Sequence, residues 1–376
     1  KANSREPIAN EGDIYSLIAC CETGAKRLVE MMYEFGLDRL DPLANYIIET
    51  SYAGTLAAIA EVPNGIYEST LRIDGYEEEI DLKAKLTVAE DHLHLDFDGS
   101  SQCSSKGINV PLNYATAYSV FALRCIIGSE IPNNAGSLSP FKVTAPKGCI
   151  LNAQHPAPVA MRHTIGQLTP DLVYGCLAQA LPDKVPAEGA SCMYDLPLRN
   201  TAAAALNGDE NFAVELVYNG GTGARPTSDG LSATAFPSGV WGSQVETTEA
   251  AAPILITRRE LRTDSGGRGQ YRGGLGQHIE LTAADGKDIQ VFLSVERIKN
   301  PARGRHGGED GAPGRIRINS DSGDLPGKGE ITILAGKTLV FETPGGGGYG
   351  SPEMRNKDLV EKDLREGLTS ELENYE

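Results

Sequence analysis

Thr343-Pro344-Gly345-Gly346-Gly347-Gly348-Tyr349-Gly350 places four consecutive glycines directly after the apolar stretch ITILAGKTLVF, Ile331 to Phe341. The apolar stretch predicts two short strands separated by a turn at Gly336. A residue without Cβ lets another chain or a ligand come into contact with the main chain, at a cost of ~0.5–1 kcal/mol per position. We therefore expect either a tight surface loop or a backbone wall that lines a substrate channel or a subunit interface.

Length and charge narrow the class of protein. A chain of 376 residues suits two or three sub-structures and a large buried core. Its 34 basic and 51 acidic side chains give a formal net charge of −17. Such a surface repels phosphate backbones and anionic lipid, so we expect neither nucleic acid nor a membrane as a partner. No apolar run approaches the ~20 residues of a membrane-spanning helix, and the N-terminal stretch lacks the pattern of a secretion signal.

Seven cysteines, an odd number without a C-x-x-C pair, favour reduced thiols in the cytoplasm over a zinc or iron–sulfur site. Cys103 and Cys125 have no adjacent base that would make either one a catalytic thiolate. The chain starts without Met, in a polar segment that leads directly into a predicted helix. We therefore expect a fragment or a processed product whose natural N-terminus lies elsewhere.

Hydrophobic periodicity predicts an α+β fold. Near the N-terminus, apolar side chains recur at helical spacing on both sides of a stop at Gly36, which predicts two antiparallel helices. The period then changes to two, and the second half of the chain alternates short β-branched runs with Gly, Ser and Thr. The predicted parts are a helical hairpin over 1–62, an α+β core with buried helices over 63–183, a glycine-rich, mostly β region over 184–350, and a helical tail over 351–376.

Alternating segments inside the core predict an antiparallel meander, and helices follow it. The second predicted helix has Pro170 near its start, where the missing N–H of proline costs little. The predicted strands are Tyr67 to Ile73, Ile80 to Val88, His92 to Phe97 and Phe141 to Ala145; the predicted helices are Leu112 to Ile127 and Thr164 to Leu181, with a loop at Ile131 to Gly136 between them.

Three other glycine clusters lack the chemistry of a nucleotide site. A phosphate loop requires G-x-x-x-x-G-K-[ST], and Gly323 to Gly329 has neither the spacing nor the hydroxyl. Gly304 to Gly308 and Gly220 to Gly223 lack the preceding strand and following helix of a dinucleotide site. We therefore expect this chain alone to bind neither ATP nor NAD.

The stretch Met161 to Thr164, with Gln167, is the main candidate for chemistry because it enters a predicted helix. Free N–H groups at a helix N-terminus suit an anion or a developing oxyanion. Arg162 could hold a carboxylate or phosphate through two hydrogen bonds, and His163 could move a proton near neutral pH. A helix cap with a hydrogen-bonded histidine is the structural alternative.

Two further groups of polar residues follow or occupy the third predicted strand. Asp98 and Ser100 end the strand and could orient a substrate, with a capped turn as the alternative. His92 and His94 share one strand face and could bind a metal together with an outside carboxylate, with a solvated strand face as the alternative. No H-E-x-x-H motif or carboxylate cluster has metal-ligand spacing, so we assign no metal ligands in this chain.

Ten stretches spread along the chain carry a family resemblance. They are CETGAKRL (21–28), DFDGSS (96–101), NVPLNYATAYSVFALRC (109–125), MRHTIGQ (161–167), CLAQALPDKVPAEG (176–189), GGTGARP (220–226), LSATAFPSGV (231–240), DSGGRGQYRGGLG (264–276), GEDGAPG (308–314) and TPGGGGYG (343–350). Together they resemble the hydantoinase B / oxoprolinase family, specifically the C-terminal two thirds of its B-type subunits.

The resemblance implies an ATP-dependent enzyme with two types of subunit. An A-type subunit with the actin-like ATPase fold would hold ATP and Mg²⁺ and phosphorylate a cyclic amide, carbonyl or bicarbonate oxygen, and the B-type subunit would complete ring opening or carboxylation. Family members include N-methylhydantoinase, 5-oxoprolinase, caprolactamase and the acetone and acetophenone carboxylases. The resemblance also implies an upstream His-x-x-Asp type motif that holds a divalent metal ion, in a region that precedes this chain.

We therefore expect the B-type subunit of a cytoplasmic hetero-oligomer that completes the hydrolytic ring opening of a phosphorylated cyclic amide. Arg162 would bind the phosphate or oxyanion and His163 would carry the proton. Asp98 with Ser100 would orient the substrate, and glycine-rich loops would line the channel with backbone amides. The alternatives are a subunit of a ketone carboxylase, a non-catalytic scaffold, and a stand-alone glycine-rich structural or sugar-binding protein.

Overall fold

A computed structural model describes residues 7–201, 212–319 and 323–370 of the chain. Its helices and antiparallel sheets confirm the α+β class. The helices are α1 (Pro7–Glu34), α2 (Asp41–Ala60), α3 (Leu112–Ile126), α4 (Ala135–Leu138), α5 (His163–Gly166), α6 (Thr169–Ala180), α7 (Val245–Ala251) and α8 (Lys357–Arg365). The strands are β1 (Gly65–Ile73), β2 (Ile80–Val88), β3 (Leu93–Asp96), β4 (Phe141–Thr144), β5 (Met193–Asn200), β6 (Ala213–Asn219), β7 (Ile254–Leu261), β8 (Gln277–Ala283), β9 (Ile289–Ser294), β10 (Arg315–Ile318), β11 (Lys328–Ile333) and β12 (Thr338–Glu342).

The chain divides into two compact units, residues 1–55 with 131–139 and residues 56–130 with 140–376. The first unit contains α1, most of α2 and α4. Gly36, at φ +61°, follows the end of α1 as predicted. Apolar side chains at helical spacing along α1 are exposed, with Ile14 58% and Leu17 66% accessible. In the part of the chain that the structure describes, no helix is long and apolar enough to cross a bilayer.

Helix α4 begins inside the segment from Ile131 to Gly136 that we expected to be a loop. Asn134 caps it by accepting hydrogen bonds from the N–H groups of Gly136 and Ser137. Gly136 packs so closely on α2 that a Cβ there would lie 2.0 Å from the carbonyl oxygen of Ile48. The side-chain cap and this close approach explain a helical turn that hydrophobic spacing alone does not predict.

The second unit begins with sheet 1, whose strand order is β1-β2-β3-β4. The first three strands form the predicted antiparallel meander, and β4 pairs in parallel with β3. Helix α6 packs on β1 and β2, and α3 packs on α6. Buried residues alternate along β2, so one face of sheet 1 forms a core with these helices.

The predicted long helix from Thr164 to Leu181 is wrong, because two helices occupy this segment. Helix α5 is a single turn, and α6 starts at Thr169 with Pro170 in its first turn. Pro170 has no N–H to donate to Gly166, and its ring would clash with that carbonyl group in a continuous helix. The chain therefore ends one helix and starts another.

The strands of the second half form two antiparallel sheets, as the predicted β region requires. Sheet 2 has the order β10-β12-β8-β7, and sheet 3 has the order β11-β9-β5-β6. The turn at Gly336, with φ +75°, joins β11 and β12. These strands belong to different sheets, so the turn carries the chain from sheet 3 to sheet 2.

The four glycines from Gly345 to Gly348 lie buried among loops of the same unit. The N–H group of Gly347 donates to the carbonyl oxygen of Glu188 at 2.8 Å, and that of Gly348 donates to the carbonyl oxygen of Glu309 at 2.8 Å. A Cβ at Gly347 would lie 2.2 Å from the carbonyl oxygen of Arg303. The expected surface loop is therefore wrong, since this backbone packs directly on other backbone and uses its amides there. The alternative of a wall that lines a substrate channel or a subunit interface stays a prediction.

Candidate functional site

Arg162 and His163 stand at the start of α5, a single helical turn. A single turn aligns few peptide dipoles, so the long-helix N-terminus on which the expected anion site depended is absent. Arg162 would have to bind an anion through its own guanidinium group.

The Arg162 side chain is exposed and lies beside an aromatic pair. Its Cζ atom is 5.6 Å from the centre of the Tyr114 ring, which stacks on Tyr118 at 4.8 Å between ring centres. Nη1 donates only a long hydrogen bond of 3.4 Å to the carbonyl oxygen of Val159. Burial raises the pKa of Tyr114 well above its usual value. The exposed Arg162 guanidinium group therefore lies beside a neutral phenol ring.

His163 faces two carboxyl groups on sheet 3. Its Nε2 atom lies 3.2 Å from Oδ2 of Asp195 on β5, and Asp195 is only 4% exposed. The orientation of this pair is not that of a hydrogen bond. Within the residues that the structure describes, His163 Nε2 and Asp195 Oδ1 are both buried and neither has a hydrogen-bond partner. The pKa of Glu215 on β6 is raised, mainly by the charge of Asp195 and to a smaller extent by burial, while the charge of His163 lowers it. Asp195 and His163 therefore both act on the charge of Glu215.

Asp195 and Glu215 are functional candidates that the sequence motifs do not reveal. They lie on strands far along the chain from His163, and pairing of β5 with β6 brings them together. The available signal is a single acidic residue within the apolar strand MYDLPLRN, Met193 to Asn200. An acidic side chain that points from a strand into the protein interior needs a charged or polar partner.

Asp98 and Ser100 lie in the turn after β3, and no contact in the described ranges joins either residue to Arg162 or His163. The buried hydroxyl of Ser100 accepts a hydrogen bond from the N–H group of Lys83 at 2.9 Å and donates one to the carbonyl oxygen of Lys83 at 3.1 Å. This hydroxyl therefore fastens the turn to β2, and its expected use in substrate orientation stays a prediction. Asp98 is exposed, and its backbone N–H group donates to Oδ1 of Asp96 at 3.3 Å.

The two strand histidines have local partners. Nδ1 of His92 lies 2.6 Å from Asp91, and Nε2 of His94 lies 2.9 Å from the hydroxyl of Thr144. Among the described residues, no three His, Cys, Asp or Glu side chains form a group that could hold a metal ion.

All seven cysteines are free thiols. Burial raises the pKa of both Cys103 and Cys125. Neither thiol is therefore activated as a nucleophile.

A cavity of about 690 Å³ adjoins the segment that carries Arg162 and His163. Met161, next to Arg162 in the chain, lines the cavity. Thr164 of α5 contacts Ser294 at 3.5 Å, and the hydroxyl of Ser294 accepts a hydrogen bond from the cavity residue Tyr76 at 3.1 Å. A largely apolar cavity with a few charged groups suits a small ring with polar substituents. Its other prominent wall residues are Lys106, Phe292, Lys299 and Lys328.

A family model described as Hydantoinase B/oxoprolinase matches residues 1–352. The B-type subunit of a putative D-/L-hydantoinase from Pseudomonas sp. (strain NS671) is 30% identical over 393 residues, which cover 98% of this chain and 64% of the relative. The beta subunit of the caprolactamase of Pseudomonas jessenii is 26% identical, with 98% and 65% covered. 5-oxoprolinase 1 of Arabidopsis thaliana is 28% identical, with 91% and 27% covered. The chain thus spans about two thirds of the hydantoinase and caprolactamase subunits.

Two solved structures share the fold. The crystal structure of the ATP-dependent caprolactamase from Pseudomonas jessenii matches with a TM-score of 0.84 at 25% identity, covering 98% of this chain and 65% of that chain. The nucleotide-free structure of an acetone carboxylase matches with a TM-score of 0.81 at 19% identity, covering 96% and 55%. The second match shows likeness of fold alone.

Proposed function

The chain belongs to the hydantoinase B/oxoprolinase family, and on that premise we propose that it is the B-type subunit of an ATP-dependent enzyme that opens a cyclic amide. The observation that carries this proposal is the match along nearly the whole chain to proteins named as the B or beta subunits of their enzymes. Such names refer to enzymes of more than one subunit. In the proposed complex, an A-type ATPase subunit holds ATP and Mg²⁺ and phosphorylates the amide oxygen.

The proposed chemistry starts from the phosphorylated amide. Water bonds to the activated carbon, the ring C–N bond breaks, the nitrogen takes up a proton, and a second water hydrolyses the resulting acyl phosphate to carboxylate and phosphate. Such a reaction requires a proton carrier and donors for the developing negative charge. In our proposal, His163 takes the proton from water and returns it to the leaving nitrogen.

The neighbours of His163 fit this role. Asp195 lies 3.2 Å from the ring and can balance the positive charge of the protonated imidazole. Arg162 offers an exposed guanidinium group next to it in the chain, suited to the phosphate or the oxyanion. We keep Asp98 and Ser100 as candidates for substrate orientation, Asp98 because its side chain is exposed.

The described residues offer no site for the divalent metal ion that the family resemblance implies, since no three His, Cys, Asp or Glu side chains among them are grouped as ligands. No proposed step on this chain therefore passes through a metal. We propose that the metal site belongs to a region of the protein outside this chain.

A substrate panel tests the proposal on the complete complex of this protein with its ATPase partner. Hydantoin, 5-oxoproline, caprolactam and acetone are each supplied with ATP, with and without bicarbonate, and both phosphate and organic product are measured. We expect a ring-opened product from a cyclic amide without bicarbonate. Turnover of acetone alone, and only with bicarbonate, would contradict the amide reaction and support a carboxylase, the second candidate that the fold likeness suggests.

A further inference from the structure

The cavity of about 690 Å³ lies on the same face of sheet 3 as the carboxyl group beside His163. Phe292 on β9 and Lys328 on β11 line the cavity. Strand β9 pairs antiparallel with both β11 and β5, and side chains that are opposite each other or two positions apart share one face of a sheet. That register places Phe292, Lys328 and Asp195 on one face, and Asp195 is the neighbour of His163.

Apolar side chains form much of the cavity wall. The ring of Phe292 is 37% exposed, so a ligand in the cavity can cover it. Met161 and Ile298 line the cavity from two other segments of the chain, and Ala160, Val295 and Pro326 complete the apolar wall. Such a wall buries the hydrocarbon part of a ligand.

Three lysines, Lys106, Lys299 and Lys328, bring positive charge to the same wall. Nζ of Lys328 lies 5.2 Å and Nζ of Lys106 lies 6.0 Å from the centre of the Tyr76 ring, so two ammonium groups lie close to one ring. The whole chain has a formal net charge of −17, and a group of lysines within such a chain attracts small anions locally.

Two of these lysines are available to a ligand. Lys328 forms an ion pair with Glu296, which is fully buried. Lys106 lies 3.6 Å from Glu77, but both side chains are exposed, so this pair is weak. In the described ranges, Lys299 forms no ion pair with any carboxylate. Lys106 and Lys299 therefore have ammonium groups that can bind an anion.

Asp74 also belongs to the wall, but its carboxylate is already fully used. It accepts hydrogen bonds from the N–H groups of Ile298 at 2.7 Å, Lys299 at 3.1 Å and Asn300 at 2.9 Å. These bonds hold the backbone that carries Lys299 in place at the cavity. A ligand anion there meets a prepared cationic site.

We propose that this cavity binds a small carboxylate with an apolar body. The carboxylate accepts hydrogen bonds from Lys106 and Lys299, and the body packs on Met161 and Phe292. A neutral ligand of the same shape forms only weaker hydrogen bonds with the two ammonium groups, so the cavity selects for charge.

This assignment stands on the cavity itself and goes beyond the proposed function. Ring opening of an amide ends in a carboxylate, so the cavity also suits the organic product of the proposed reaction, and that consequence alone rests on the proposed function. Binding of probes by this chain, without ATP or a partner, tests the cavity. Turnover in the substrate panel tests the reaction, so the two can fail separately.

The test measures binding of 3-phenylpropanoate to the protein by titration calorimetry at low salt, with two matched probes. 3-Phenylpropanamide keeps the shape and loses the charge, whereas acetate keeps the charge and loses the apolar body. We expect each to bind at least about tenfold more weakly than 3-phenylpropanoate. Failure of 3-phenylpropanoate to bind, or equal binding of it and either probe, would overturn the assignment.

A Lys299→Met variant provides the second arm, because it removes the charge from an exposed side chain and keeps an apolar stem. We expect it to bind 3-phenylpropanoate at least about tenfold more weakly and 3-phenylpropanamide as the parent does. Lys147→Met, at an exposed lysine outside the cavity wall, makes the same change of net charge and should leave both affinities unchanged. Equal loss of binding in the two variants would reduce the effect to net charge and refute the site, as would unchanged binding by Lys299→Met.

Discussion

Replacing Gly347 with Ala tests the claim that backbone packing around the glycine run holds the second unit together. The added methyl carbon would lie 2.2 Å from the carbonyl oxygen of Arg303, whereas ordinary contact begins near 3.4 Å. The loops would have to separate by more than about 1 Å. Gly347 also donates to the carbonyl oxygen of Glu188 at 2.8 Å and accepts from the N–H group of Ala224 at 2.9 Å, so both hydrogen bonds would weaken.

These effects give the expected loss of stability. Two hydrogen bonds contribute about 0.5–1.5 kcal/mol each, and overpacking costs about 1–3 kcal/mol. Together they predict that Gly347→Ala lowers the free energy of unfolding by about 2–6 kcal/mol, a large part of the ~5–15 kcal/mol typical of a folded protein. Urea unfolding monitored by fluorescence and by circular dichroism measures this change.

Gly107→Ala is the matched control within the same unit. A Cβ at Gly107 would lie 3.6 Å from the nearest atom, which is ordinary contact. We expect its free energy of unfolding to stay within about 0.5 kcal/mol of the parent value. If Gly347→Ala were equally mild, the glycine run would not be packed as described, and the argument for a backbone core would fail.

Three further predictions follow from the site. Arg162→Ala should lower turnover of the complete complex about 10²–10³-fold with little change in Tm, because this side chain is exposed; a loss of several degrees with normal kcat would indicate a structural arginine. Because Asp195 raises the pKa of Glu215 in the folded protein, the folded state binds this proton more tightly than the unfolded state does. The stabilisation that the bound proton provides is lost as the pH rises through the raised pKa of Glu215. Glu215→Gln should therefore have a higher Tm than the parent at pH 8 and an equal Tm below about pH 4; a constant difference would contradict the coupling. This chain alone should bind no ATP·Mg²⁺ by calorimetry, since its glycine clusters lack the phosphate-loop pattern, and tight binding would disprove this.

The helices and the meander could be predicted from the sequence because their signals are local. Spacing of apolar residues identifies α1, α2 and β1 to β3, and Gly36 adopts the positive φ expected after a helix. The division at Pro170 was also within reach, since the ring of proline forbids the bond that a continuous helix requires. We nevertheless missed the division itself, because we placed Pro170 near the start of one long helix.

The glycine core and the carboxyl groups of the site could not be predicted in the same way. Four glycines show that something approaches the backbone, but only tertiary structure shows that the loops of Glu188, Arg303 and Glu309 do so. The position of His163 beside Asp195 likewise depends on how α5 lies against sheet 3. Such contacts join distant parts of the chain and leave no periodic pattern in the sequence.

His163→Gln in the complete complex, with the ring-opened product and released ADP measured in one reaction, tests the central claim most directly. A lost proton carrier should lower formation of ring-opened product about 10²–10⁴-fold, while amide-dependent release of ADP by the ATPase partner continues. Equal rates of product formation by the variant and the parent complex would contradict the account and leave this chain as a scaffold.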